Sequence, residues 1–232
     1  MKTLCIIPAR GGSKRIPRKN IRPFLGSPII AYSIRAAQES GLFDDVMVST
    51  DDAEIAQLAQ LYGAAVPFAR SADTANDFAT TAAVLTEVLN TYAQRGQHFD
   101  RACCLYATAP FVTAAKLREA FAKLESGAFD TVFPVVRFSF PVQRAVIFQN
   151  DRLAWLEPDH ALTRSQDLPP AFHDAGQFYC VNVPSFLETG QLLTSNTSGI
   201  EISELEAQDI DNLVDWQLAE LKVRLLAQSR SA

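Results

Sequence analysis

The sequence lacks the features that direct a chain into a membrane or out of the cell. Its longest apolar stretches are far too short to cross a bilayer. The apolar start "MKTLCIIPAR" is broken by Pro8 and Arg10, before it reaches the roughly 7–15 apolar residues of a secretory signal. Low-complexity tracts and repeats are also absent. We therefore expect a cytoplasmic protein with no membrane partner, built as a single domain over residues 1–232.

The sequence also lacks the motifs of several common chemistries. None of its four cysteines forms a C-x-x-C pair, which argues against a zinc site and favours buried free thiols. Neither G-x-S-x-G nor H-E-x-x-H occurs, so a covalent intermediate is not expected. The formal net charge of −5 argues against a general nucleic-acid binder, which would normally be basic.

Strand-like and helix-like segments alternate along the first part of the chain. Apolar stretches such as "TLCIIPA" and "RACCLYAT" indicate buried strands, and stretches with apolar residues at i, i+3, i+4 and i+7 follow them. We also expect a short strand at "AAVPF" and a final helix with Val214, Leu218, Leu221 and Leu225 on one face. This alternation predicts an α/β fold, with a mostly parallel sheet flanked by helices.

A concentrated basic loop follows the first predicted strand. The stretch "PARGGSKRIPRKNIR" contains Arg10, Lys14, Arg15, Arg18, Lys19 and Arg22 in an otherwise acidic protein. Gly11 and Gly12 allow backbone N–H groups to converge on an anion. The stretch fits neither the Walker P-loop nor the G-x-G-x-x-G pattern. We interpret it as a polyphosphate site rather than a solvated surface loop, because ligands of parallel sheets bind at the carboxyl ends of the strands.

A short acidic segment, "QDIDN", precedes the last predicted helix. In an extended segment Asp209 and Asp211 point to the same side, with Ile210 opposite. Two such carboxylates suit Mg²⁺, which binds oxygen ligands and usually keeps substrate phosphates in its shell. The alternative is that Asp211 or Asn212 only caps the helix. We interpret two other acidic sites as structural: Asp51 as a helix cap, and His173–Asp174 as a surface-loop pair.

Several of these segments resemble one enzyme family. "IIPARGGSKRIPRKNI" is similar to the signature of the CMP-sialic acid synthetases, also called acylneuraminate cytidylyltransferases. The resemblance continues through "VMVSTDDAEIAQLAQLYGAAVPFAR", "YATAPF" and "AQDIDNLVDW". It implies a Rossmann-like nucleotidyltransferase fold and a homodimer joined by an inserted arm at about residues 137–172.

The resemblance also implies roles for individual residues. Arg10, Lys19 and Asp211 would be catalytic, and Asp209 and Asp211 would hold Mg²⁺. The nucleotide would contact Ala9, Arg10, Gly11, Gly12, Ser13, Lys14, Lys19, Asn20, Arg70, Thr80 and Thr81. The sugar pocket would contain Tyr106, Thr108, Gln177 and Phe178, with Arg144 and Arg164 as candidates for binding the sugar carboxylate.

The implied reaction joins CTP to a nine-carbon α-keto sugar acid and releases pyrophosphate. Segments such as "RSQDLPPAFHDAGQFY" are most similar to family members that act on pseudaminic acid and serve flagellin modification. The alternatives are sialic, legionaminic or 2-keto-3-deoxy-octonic acid, and a non-catalytic nucleotide or RNA binder. Ala107 and Cys180 depart from the pseudaminic pattern of Pro and Trp. The general base is left open between a metal-polarised hydroxyl and an aspartate of the metal pair.

Overall fold

A computed structural model describes residues 1–231 of the chain. Its helices are α1 Ile30–Ser40, α2 Ala53–Leu61, α3 Ala72–Ala75, α4 Thr81–Gln94, α5 Ala114–Ser126, α6 Val183–Thr189 and α7 Leu213–Ser231. Its strands are β1 Thr3–Pro8, β2 Pro23–Phe24, β3 Ser27–Pro28, β4 Asp45–Ser49, β5 Arg101–Leu105, β6 Thr131–Arg137, β7 Val146–Gln149, β8 Arg152–Trp155, β9 Phe172–Asp174, β10 Phe178–Asn182 and β11 Thr197–Ile202. None of the helices in this part of the chain is long and apolar enough to cross a bilayer.

The central sheet confirms the predicted α/β fold. Its strand order is β11-β6-β10-β5-β1-β4. Strand β9 pairs with the last three residues of β6. Along this path β10 alone runs against its neighbours, so the sheet is mostly parallel. Crossover helices cover both faces, as a parallel sheet requires, and an apolar cluster lies on each face.

The topology brings the predicted site segments to one edge of the sheet. The basic loop follows β1, the "TDD" segment follows β4, and Tyr106 follows β5. Each of these strands ends at the carboxyl edge, where open α/β sheets bind ligands. The reversed strand β10 begins at the same edge, and the Tyr106 backbone N–H donates to the Gln177 carbonyl there over 2.9 Å.

A third, smaller apolar cluster joins the basic loop to the acidic segment. Ile16 of the loop and Ile210 of the acidic segment are each 1% exposed, and both pack with Phe24 and Trp216. The two charged segments are therefore fixed relative to each other through their apolar residues.

Two sequence-based expectations about individual elements were wrong. The "AAVPF" segment forms only an isolated bridge between Met47 and Ala65. The α7 face formed by Val214, Leu218 and Leu221 is exposed, because Trp216 and Ala219 supply the buried contacts of that helix instead.

The segment after β6, called the arm below, contains a two-stranded hairpin. The β7–β8 hairpin turns at Asn150 and Asp151, whose φ angles are 48° and 64°. Asn and Asp tolerate this left-handed conformation, which tight hairpin turns require. The hairpin's side chains are almost all exposed, so the arm contributes little to the core of its own chain.

Candidate active site

A cleft of about 280 Å³ lies at the carboxyl edge of the sheet, above β1 and β5. The basic loop forms one wall, and the segment before α4 and the end of β5 complete it. The lining residues are Pro8, Arg10, Ser13, Lys14, Arg15, Ile16, Lys19, Asn20, Arg70, Thr74, Asn76, Asp77, Ala79, Thr81, Val84, Tyr106, Ala107 and Thr108.

The basic loop is shaped by hydrogen bonds within itself and to β4. The Ala9 backbone N–H donates to the Ser49 carbonyl over 2.9 Å, and the Ser13 N–H donates to the Gly11 carbonyl over 3.0 Å. The Asn20 side-chain amide donates to the Arg10 carbonyl over 2.9 Å. These bonds fold the loop back on itself, and four of its cations, Arg10, Lys14, Arg15 and Lys19, line the cleft.

Lys19 joins the basic loop to the acidic segment. Its ammonium donates to the Ile210 carbonyl over 2.7 Å. Burial lowers the pKa of Lys19, and the carboxylates of Asp211 and Asp209 oppose that shift. The side chain is thus partly desolvated and close to both aspartates, an environment that strengthens its interaction with any additional anion.

The two aspartates flank a buried residue, as the alternation predicted. Ile210 is buried, whereas Asp209 is exposed and Asp211 is partly exposed. The α7 cap is Asn212, whose Oδ1 accepts the N–H groups of Val214 and Asp215. Asp211 is therefore not the helix cap, and its carboxylate instead pairs with Arg15 at 2.6 Å.

These carboxylates suit a hard divalent cation. No group of three or more acidic, histidine or cysteine side chains that could hold a metal occurs among the described residues. Two carboxylates are nevertheless the usual protein contribution to Mg²⁺, with substrate phosphates and water supplying the other oxygens. Asp209 and Asp211 provide two such carboxylates, so these residues fit a Mg²⁺ site that the substrate phosphates and water complete.

Asp77 is a site residue that the sequence analysis did not identify. Its carboxylate pairs with Arg10 at 2.5 Å and also with Lys14. Lys14 and Arg10 hold the pKa of Asp77 below its usual value. Arg10 and Asp77 are 67 positions apart, so no local pattern could have predicted this ion pair.

The cleft's inner end carries the candidate nucleoside and sugar residues. Arg70 is buried, and its Nε donates to the Ser49 hydroxyl over 3.0 Å. Burial lowers the pKa of this guanidinium. The Thr81 and Tyr106 hydroxyls lie 2.9 Å apart, and burial raises the pKa of Tyr106. The inner end therefore offers neutral hydroxyls and one cation.

Some predicted residues lie outside the cleft wall. Thr80 caps α4 through the Ala83 N–H, and Phe178 is fully buried in the core. Gln177 is also buried, and its amide donates to the Glu206 carbonyl over 2.5 Å. The structure does not bring these side chains to the cleft.

The two arginines proposed for the sugar carboxylate lie on the arm. Arg144 donates to the Ser165 hydroxyl over 3.3 Å, and Arg164 pairs with Asp167 at 2.8 Å. Neither contributes to the cleft of its own chain.

The fold is similar to that of a solved sugar-acid nucleotidyltransferase. It superposes with a TM-score of 0.71 on a solved CMP-2-keto-3-deoxy-manno-octonic acid synthetase in complex with CTP. The match covers 99% of this chain and 100% of that one, at 18% identity, and it shows the fold alone.

The chain belongs to the cytidylyltransferase family, whose model matches residues 4–223. It is 40% identical over 230 residues to a pseudaminic acid cytidylyltransferase of Campylobacter jejuni, with 99% of each chain covered. It is also 31% identical to a CMP-N,N'-diacetyllegionaminic acid synthase of Legionella pneumophila, with 97% of each chain covered. The family predicted from the sequence motifs is thereby confirmed.

Proposed function

We propose that the protein transfers CMP from CTP to pseudaminic acid, giving CMP-pseudaminic acid and pyrophosphate. The main support is the full-length identity of 40% to pseudaminic acid cytidylyltransferase. The chain's basic loop also lines a cleft at the carboxyl edge of the sheet. The proposed role in flagellin modification draws support from a 30% identical flagellin modification protein of Campylobacter coli.

The triphosphate lies along the basic loop in this proposal. Arg10, Lys14 and Lys19 neutralise its oxygens. Arg70 and Thr81 contact the nucleoside, and Tyr106 and Thr108 border the sugar. Support comes from the position of these side chains in one cleft.

The sugar's C2 hydroxyl attacks the α-phosphorus of CTP in line with the departing pyrophosphate. Negative charge grows on the phosphate oxygens, and fixed cations stabilise it without reorganising. Asp209 and Asp211 are the proposed ligands of Mg²⁺, which supplies Lewis-acid stabilisation of phosphate charge when bound. Arg15, which pairs with Asp211, lines the same cleft and adds a further cation to it.

We further propose that residues 137–172 form a dimerisation arm. Phe140, Phe148 and Leu153 are 82%, 77% and 62% exposed. Clustered exposed apolar side chains of this kind mark protein–protein contact sites. An isolated two-stranded hairpin is marginally stable in water, so a second copy of the chain would stabilise it.

The test is a product assay with a panel of acceptors. The protein is incubated with CTP, Mg²⁺ and, separately, pseudaminic, legionaminic, N-acetylneuraminic and 2-keto-3-deoxy-octonic acids, and the products are identified by mass. We expect the CMP-sugar to form fastest with pseudaminic acid. Legionaminic acid is the second candidate, because relatives named for that product are 31% and 33% identical.

A further inference from the structure

Two adjacent carboxylates outside the cleft hold two separate points of the basic loop. Asp51 Oδ1 accepts the Gly11 backbone N–H over 3.0 Å. Asp52 receives Arg18 in a bidentate pair, at 2.5 Å and 3.1 Å. A third carboxylate, Glu54, also binds Arg18. The start of α2 thus contacts the loop near its beginning and near its end.

Arg18 is held in a backbone conformation that residues with a side chain seldom adopt. Its φ is 57° and its ψ is 31°, in the left-handed region. Residues other than glycine occupy this region mainly where surrounding contacts enforce it, often at functional sites. The contacts here include the ion pairs with Asp52 and Glu54, and the Arg18 carbonyl also accepts the Ile21 N–H over 3.0 Å.

The Arg18 conformation sets the direction of the functional residues that follow. Lys19 and Asn20 begin a short 3₁₀ helix immediately after Arg18. Lys19 reaches the acidic segment, and Asn20 bonds back to Arg10. A change in the Arg18 backbone would redirect both side chains.

Arg18 differs from the cleft-lining cations of the loop in where its charge is used. Arg10, Lys14, Arg15 and Lys19 line the cleft, but Arg18 does not. The close approach of α2 also explains Gly11: a Cβ there would lie 2.6 Å from Asp52 Oδ2. The acidic pair therefore packs directly against the loop's back surface.

We propose that Asp51, Asp52 and Arg18 are positioning residues that brace the phosphate-binding loop in the geometry that receives CTP. This inference rests on the proposed function and adds residues that act through the loop without contacting substrate. Asp52 also caps α2, by accepting the N–H groups of Glu54 and Ile55. The experiment must therefore separate the effect of Asp52 on the cap of α2 from its effect on the basic loop.

The experiment compares substitutions that separate these roles. Asp52→Asn keeps a side-chain oxygen for the cap but loses the charge that holds Arg18. Arg18→Ala removes the ion pairs and leaves a non-glycine residue at positive φ, whereas Arg18→Gly removes them and tolerates that φ. Asp51→Ala removes the oxygen that accepts the Gly11 N–H, and Glu188→Gln on α6, which is exposed, is the matched loss of charge elsewhere.

The readouts are the Kd for CTP by calorimetry, kcat and KM from pyrophosphate release, and thermal unfolding. We expect Asp52→Asn and Arg18→Ala to lose about 10–100-fold in CTP affinity and kcat/KM, the range seen for groups that orient ligands. Arg18→Gly should recover part of that loss, and Glu188→Gln should match the wild type.

Two results would overturn the proposal, and they are distinguishable. If the wild type binds CTP and the folded Asp52→Asn, Asp51→Ala and Arg18→Ala proteins bind it equally well, the brace is refuted and the proposed function stands. If the wild type neither binds CTP nor releases pyrophosphate, the proposed function fails and the brace fails with it.

Discussion

At the scale of single residues, Lys19 occupies the position that the account depends on most. It is half-buried, lines the cleft and bonds to the backbone between the two aspartates. Lys19→Ala should lower kcat about 10²–10³-fold, as the loss of one preorganised donor does. The circular dichroism spectrum should be unchanged. Full activity, or an unfolded variant, would contradict this role.

The lowered pKa of Lys19 leads to a prediction about pH. A lysine carries its charge below its pKa, and burial has moved this pKa below the usual 10.5. The kcat/KM for CTP, which reports the free enzyme, should therefore fall on the alkaline side before an ordinary lysine would titrate. In Lys19→Arg the fall should move to higher pH, because arginine stays charged. An identical alkaline limb in both proteins would assign it to another group.

Asp77 neutralises part of the site before the triphosphate arrives. It pairs with Arg10 and Lys14, the cations proposed to hold phosphate oxygens, so binding must exchange one anion for another. Asp77→Asn should therefore tighten CTP binding by several-fold in calorimetry, a modest change because exposed ion pairs are weak. The control is Asp73→Asn, an exposed acidic residue of α3. Weaker binding by Asp77→Asn would mean that this carboxylate assists the ligand.

At the scale of elements, the small apolar cluster beneath the charged segments links stability to function. Ile210 is 1% exposed and packs with Ile16 and Trp216. Ile210→Ala should lower the free energy of unfolding by about 2–5 kcal/mol. It should also raise the Mg²⁺ concentration needed for half-maximal activity, because Asp209 and Asp211 lose their anchor. Chemical denaturation and a magnesium titration measure the two effects.

Ala59→Gly on α2 separates the two consequences of the Ile210 change. Ala59 is fully buried but packs in the larger cluster on one face of the sheet. Ala59→Gly should lower the free energy of unfolding without changing the Mg²⁺ concentration needed for half-maximal activity. If both variants shift that dependence equally, the small cluster has no special role in holding the aspartates.

The side chains of the arm's β7–β8 hairpin are almost all exposed in their own chain. Phe148→Asp should shift the protein from dimer to monomer in light scattering, because a charge placed in an apolar contact must be desolvated. The matched variant is Phe78→Asp, since Phe78 is 93% exposed but lies before α4, away from the arm. A wild type that is already monomeric would refute the dimerisation arm.

Sequence patterns predicted the elements better than they predicted their surroundings. Strands β1, β4, β5 and β6 were recognisable because buried parallel strands read as apolar runs. The α7 face was assigned incorrectly, since Val214 and Leu218 have the required spacing but Trp216 and Ala219 make the buried contacts. Periodicity reports that a helix has an apolar side, whereas packing against Phe24 decides which side is buried.

At the scale of the whole molecule, charge is distributed unevenly. The net charge is −5, yet four cationic residues of the loop line one cleft. Clefts lined by one sign of charge focus the local field and raise the local concentration of the opposite ion. Both proposed substrates are anions, so the acidic surface elsewhere would favour their binding at the cleft.

The candidate site was partly predictable from the sequence because its basic loop is a contiguous segment. Arg10, Lys14 and Lys19 could be identified from residues 8–22 alone. The partners of that loop could not, since Asp77, Asp52 and Ile210 approach it only through the folding of β4, α4 and the chain's last segment. Arg18 in particular is of a residue type that commonly binds phosphate, but its partners in the structure are carboxylates.

Mass spectrometry of the products tests directly whether the cleft that contains Lys19 transfers CMP. The wild type and Lys19→Ala are each incubated with CTP, Mg²⁺ and pseudaminic acid. We expect the wild type to form CMP-pseudaminic acid and one pyrophosphate per turnover. We expect Lys19→Ala to form almost no CMP-pseudaminic acid. Binding of CTP without any CMP-sugar from the full acceptor panel, or equal turnover by both proteins, would contradict these expectations.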